Sequence, residues 1–165
     1  MNMYQDFEER CNNGLNYAKR FVHDLCRKYA LEPIEVKTEN FCIGNLERPA
    51  RFSRSSDGKV YIACNKIHLI CNKDKIEPKL RHEFRHYWQS VYYSKLFLWW
   101  MVDHQDLYEA FQNERDKYGR ILAYLYCPIE VDACAFEKSD KVNEDILRNA
   151  NYELDYWKKL LDNQH

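Results

Sequence analysis

The stretch from Leu80 to Leu98 constrains this chain more than any other. Leu80, Phe84, Tyr87, Val91 and Leu98 recur at spacings of four, three, four and seven. That period draws one narrow apolar stripe along a helix and fits no strand. His82 and His86 stand one turn apart and nearly opposite the stripe. A helix that buries the stripe therefore presents both imidazoles on its other face. Lys79, Gln89 and Tyr93 share that face, which reads as the polar floor of a cleft. Glu77-Pro78 marks the start of the helix, since proline is harmless where an N–H has no partner. The helix is expected to run to about Leu98.

The segment His82-Glu83-Phe84-Arg85-His86 is an HExxH pattern. Residues i and i+4 lie about 40° apart around a helix, so one turn fills two corners of a tetrahedral Zn²⁺ site. Glu83 sits about 100° round from His82, beside the metal rather than on it, where a carboxylate serves as general base toward water. Tyr93 is the candidate to help hold an oxyanion.

A third protein ligand is sought downstream, in Cys127-Pro128-Ile129-Glu130-Val131-Asp132-Ala133-Cys134-Ala135-Phe136. Pro128 opens a short helix and Glu130 falls in its first turn, where the helix dipole favours a carboxylate. Ala133 is small enough for close helix packing. Glu130 is the leading candidate and Asp132 its main rival, with His68, His104 and His165 in weaker settings.

Around these segments the pattern is helix, small sheet, then helices, which is an α+β order in a single domain spanning 1–165. Residues 4–30 carry apolar positions at helical spacing, and Pro33 is expected to end that helix. Ile34–Val36, Phe41–Ile43, Arg51–Arg54 and Val60–Cys64 read as short strands. Ser55-Ser56-Asp57-Gly58-Lys59 reads as a hairpin turn. Ile67–Cys71 reads as one more strand or a loop. Val142–Leu161 reads as a closing helix.

The composition excludes several classes. Lys plus Arg is 25 against 26 Asp plus Glu, which argues against a dedicated nucleic-acid binder. The basic residues between Lys66 and Arg85 are diluted by Asp74, Glu77 and Glu83. The longest apolar run, Leu96–Val102, is far below the roughly 20 residues a bilayer needs. The start MNMYQDFEER carries acids where a secretory signal carries bases, so a cytoplasmic protein is expected. Seven cysteines with no CxxC spacing read as free thiols.

HEFRHYWQ followed by a glutamate in PIEVDACAF resembles the gluzincin branch of zinc metallopeptidases, in particular the compact ImmA/IrrE-type proteins of bacteria, phages and mobile elements. Those carry HExxH and then a helix of the form E-x-x-A-N/D-x-F-A, which Glu130, Ala133 and Phe136 match. The likeness covers residues 60–137. It implies a zincin-like domain with a small twisted, mostly antiparallel sheet packed on the HExxH helix. It implies zinc on His82, His86 and Glu130, Glu83 as base, and a protein or peptide substrate. It also implies an edge strand that pairs with extended peptide, for which Val60–Cys64 is the candidate. Cys134 departs from the pattern, standing where relatives have Asn or Asp. The long gap from His86 to Glu130 makes 99–127 an insertion over or beside the cleft.

The rival to a metallopeptidase is a non-catalytic zinc protein that acts as an interaction or regulatory module. Its docking patch for a protein partner would be Tyr92, Tyr93, Phe97, Trp99, Trp100 and Met101. Glu83 separates the two, because a purely structural zinc site has no use for a general base.

Overall fold

Helix α1, Met3–Lys28, opens the fold with Cys11, Ala18, Val22, Leu25 and Cys26 buried along one face. The computed structural model describes residues 3–39, 49–70, 73–99, 128–139, 144–145 and 147–150. They belong to two compact units, residues 1–87 and residues 88–165, taken here in turn.

In the first unit, α1 stops before the proline expected to end it. Ala30 N–H reaches Arg27 O at 3.4 Å and Leu31 N–H reaches Cys26 O at 2.8 Å, with Ala30 at φ 53°. This pair of bonds is a Schellman cap, and its left-handed position usually takes glycine. Gly14, in the middle of α1, lets a neighbour come close. A Cβ there would lie 2.1 Å from the backbone oxygen of Leu69. Leu69 belongs to α2, Lys66–Ile70, so the segment expected from Ile67 as a strand or a loop is a short helix as far as Ile70.

Between the helices lie β1, Glu35–Glu39, β2, Ala50–Arg54, and β3, Val60–Asn65. Their order is β1-β3-β2. β3 runs parallel to β1 and antiparallel to β2, so the sheet is mixed rather than mostly antiparallel. The expected edge strand, β3, is the central one. The physical reason is visible in its composition. Tyr61-Ile62-Ala63-Cys64 is apolar without alternation and buried throughout, as suits a strand flanked on both sides.

The hairpin joining β2 to β3 fixes which groups of β2 face outward. Gly58 N–H reaches Ser55 O at 2.9 Å and Gly58 has φ 84°, a turn closed by a left-handed glycine. Ser55 N–H reaches Lys59 O at 2.8 Å, and Asn65 N–H reaches Pro49 O at 2.9 Å. Ladder bonding alternates along an antiparallel pair. Residues 49, 51, 53 and 55 therefore bond to β3, and Ala50, Phe52 and Arg54 turn their N–H and C=O groups away from it.

Helix α3, Lys73–Tyr92, begins a turn earlier than expected and holds Pro78 inside it. Leu80 and Phe84 are fully buried and Tyr87 nearly so. Phe84 lies 5.7 Å from the Tyr29 ring, Phe52 lies 6.4 Å from the Tyr87 ring, and the Tyr87 hydroxyl donates to Glu32 O at 3.0 Å. These contacts tie the helix to the end of α1 and to β2. The stripe leaves the core beyond Tyr87, since Val91 is 48% exposed. The opposite face is no open floor either. His86 and Gln89 are buried, so α3 is enclosed nearly all round from Phe84 to Gln89, as a central helix is.

In the second unit, Tyr93 breaks the helix and α4, Ser94–Leu98, follows. Helix α5, Pro128–Ser139, buries Ile129, Ala133 and Phe136 on one face. Phe97 and Trp99 are buried as well, which removes them from the expected docking patch. The Phe41–Ile43 strand, Trp100, Met101, nearly all of the expected insertion 99–127 and most of the Val142–Leu161 helix lie outside the described residues.

Two substitutions in α1 act in opposite directions, read by urea denaturation of the full chain. Gly14→Ala is expected to destabilise by about 1–3 kcal/mol, although alanine is the better helix former, because the methyl collides with backbone. Ala30→Gly is expected to stabilise by about 1 kcal/mol by removing a Cβ from a left-handed position.

Candidate metal centre

The single helix α3 brings His82 and His86 together. Their Nε2 atoms lie 3.1 Å apart, with the rings edge to face and centroids 4.8 Å apart. Two nitrogens on one tetrahedral zinc, each at about 2.0–2.1 Å, stand about 3.3 Å from each other. The spacing thus fits two lone pairs aimed at one ion, and it equally accommodates an N–H···N bond when no ion is shared. His86 is buried and His82 half-buried, so the pair has one side toward the interior and one toward solvent.

Glu83 turns aside from the pair, as its position on the helix requires. Its Oε2 accepts the backbone N–H of Phe52 at 2.6 Å. This is one of the outward groups of β2, so the carboxylate is fixed by the strand edge. Cys64, behind it in β3, has its thiol pushed up to about 12, first by burial and then by the negative charge of Glu83. With no cation beside it, Cys64 is therefore a neutral thiol near neutral pH.

The second unit holds the remaining candidates. Glu130 lies in the first turn of α5 and is buried. Asp132 is also buried, and its Oδ2 accepts from Gln89 Nε2 at 2.7 Å. The same Gln89 nitrogen donates to Ile129 O at 2.9 Å. Both protons of one amide thus grip the start of α5, and the Asp132 carboxylate is engaged in that grip. Sequence reasoning places Gln89 on the histidine face as a floor residue and assigns it no partner. Its signal was its position, three residues after His86 and seven after His82 on one helical face.

Tyr93 sits at the break after α3, and its hydroxyl donates to Glu144 Oε2 at 2.9 Å. A role at an oxyanion would require that bond to be given up. Cys134 is half-buried in α5. His68 is half-buried in α2, while His104 and His165 lie outside the described residues. The Phe52 amide could not be read from sequence at all, because a backbone N–H carries no residue signature. The chain matches no family model, no curated protein and no solved structure.

Proposed function

We propose that the chain is a zinc-dependent metallopeptidase in which His82, His86 and Glu130 hold the ion and Glu83 is the general base. The observation that carries this reading is the approach of the two Nε2 atoms to 3.1 Å on an HExxH helix, with a carboxylate between them in sequence. Glu130 is preferred as third ligand for two reasons. Its buried carboxylate lies at a helix N-terminus, which favours the ionised form a metal needs. Its rival Asp132 is already engaged by Gln89.

Zinc, when bound, supplies a Lewis acid that makes water acidic near neutral pH and polarises a carbonyl. The chain's own residues do the rest. The two imidazoles offer neutral nitrogens from a helix whose rotation is fixed by the burial of Leu80 and Phe84. Glu83 takes a proton from the attacking water and later delivers it to the leaving amine nitrogen. In the free chain one of its oxygens accepts the Phe52 N–H. Among the described residues β2 is an end strand of the sheet, and its outward main-chain groups would serve an extended peptide. This moves the docking strand from β3 to β2. Among the described residues no helix is long and apolar enough to cross a membrane.

Elemental analysis of protein purified without added metal should find about one zinc per chain, most of it lost in His82→Ala and His86→Ala. Glu83→Gln should keep zinc and lose peptide cleavage by on the order of 10² or more. Stoichiometric zinc in the double alanine variant overturns the metal assignment, and undiminished turnover in Glu83→Gln overturns the mechanism.

The third ligand is tested separately by competitive zinc titration together with urea denaturation. Glu130→Gln is expected to weaken zinc binding by about tenfold or more, because a neutral oxygen replaces a carboxylate. Asp132→Asn should cost about 1–3 kcal/mol of stability through the Gln89 grip, with a smaller change in zinc affinity. The opposite ranking on zinc would move the ligand to Asp132.

A further inference from the structure

The candidate base and the docking edge meet at one atom, the amide nitrogen of Phe52. Its N–H points off the side of β2 away from β3, where no strand pairs among the described residues, and Glu83 Oε2 lies 2.6 Å from it. An added strand would have to put a carbonyl oxygen in the same place, at about 2.9 Å. One N–H serves one strong acceptor, so the carboxylate and a peptide carbonyl exclude each other there.

We propose that Glu83 is latched to the edge of β2 in the free protein and that an extended peptide entering along β2 displaces it from Phe52 N–H, so that docking of the peptide and release of the carboxylate are one event. The meaning of that release for catalysis rests on the metallopeptidase reading. The competition for the N–H stands on the strand geometry alone. Ala50 and Arg54 present the neighbouring outward groups, so the ligand class is an extended peptide backbone that pairs at positions 50, 52 and 54. A hydrogen bond to a charged acceptor is roughly twice as strong as one to a neutral acceptor. The latch therefore lowers the affinity of the edge for peptide, and the flanking pairings must overcome it.

The test uses the full chain loaded with zinc and labelled with ¹⁵N. The probe is a short uncharged peptide rich in Thr and Val, acetylated and amidated. In the free wild type the Phe52 amide proton should resonate downfield and exchange slowly, and Glu83→Ala should abolish both. Peptide affinity should rise roughly tenfold in Glu83→Ala, with Glu83→Gln in between because its amide oxygen still accepts weakly. Phe52→Pro lacks the N–H and should bind the peptide more weakly than Phe52→Ala, which has lost the same ring and kept the N–H. Circular dichroism of each variant checks the fold, and Glu83→Gln carries the comparison if the alanine variant does not fold.

An unchanged Phe52 amide in both Glu83 variants overturns the latch. So does peptide affinity that fails to rise in them, or no peptide binding to any of the proteins. The two readings fail separately. A chain without zinc that shows the expected ranking keeps the latch and loses the metallopeptidase. A chain that binds zinc and cleaves peptides without the ranking keeps the metallopeptidase and loses the latch.

Discussion

Burial of Leu80, Phe84 and Tyr87 on one side of α3 is the constraint from which the candidate site follows. Fully burying such a side chain stabilises by about 1.5–3 kcal/mol, so three of them outweigh any hydrogen bond or ion pair on that helix. They set its rotation, and rotation sets where the imidazoles point. The ring contacts of Phe84 with Tyr29 and of Tyr87 with Phe52 bind the same face to α1 and β2. The histidines contribute little to this packing, yet their convergence depends on it. A helix turned by one residue, about 100°, would send both rings elsewhere.

Polar burial adds a second kind of constraint. Gln89 is fully enclosed, and a buried amide is costly unless its protons are taken up. Both are, by Ile129 O and by Asp132. Two bonds in fixed directions specify one rotational setting of α5 against the last turn of α3, which apolar packing alone would do less sharply. Ile129, Ala133 and Phe136 then supply the energy and Gln89 the register.

What the sequence made legible follows the range of the interactions involved. The helical period of Leu80, Phe84 and Tyr87, the i, i+4 histidines and the Asp57-Gly58 turn are local signals, and the structure carries all three. The misreadings concern neighbours. β3 has four consecutive apolar residues, the mark of a central strand, but the expectation of a peptide-binding edge outweighed that mark. The mixed sheet follows from β1 joining the far side of β3, a choice that no period encodes. Pro33 looked like the helix stop, whereas the chain turns at Ala30, a residue with no turn preference of its own. Lys66–Ile70 is too short for a period to separate helix from strand or loop. Gln89 looked like a floor residue because a polar side chain at a predicted open face gives no hint that both its protons have buried partners.

The Phe52–Glu83 bond also bears on how Glu83 itself is to be read. A carboxylate bound to an edge amide could be nothing more than a cap on an exposed strand, since open edges are commonly covered. A cap needs one acceptor oxygen, and glutamine supplies one as well as glutamate does, apart from charge. A base needs a group that can take up a proton, and glutamine has none. The glutamine variant therefore preserves the cap and removes the base, whereas the alanine variant removes both. A loss of function confined to alanine would assign Glu83 to the architecture of the β2 edge. A loss present already in glutamine would assign it to proton transfer, because anchoring at Phe52 survives that change.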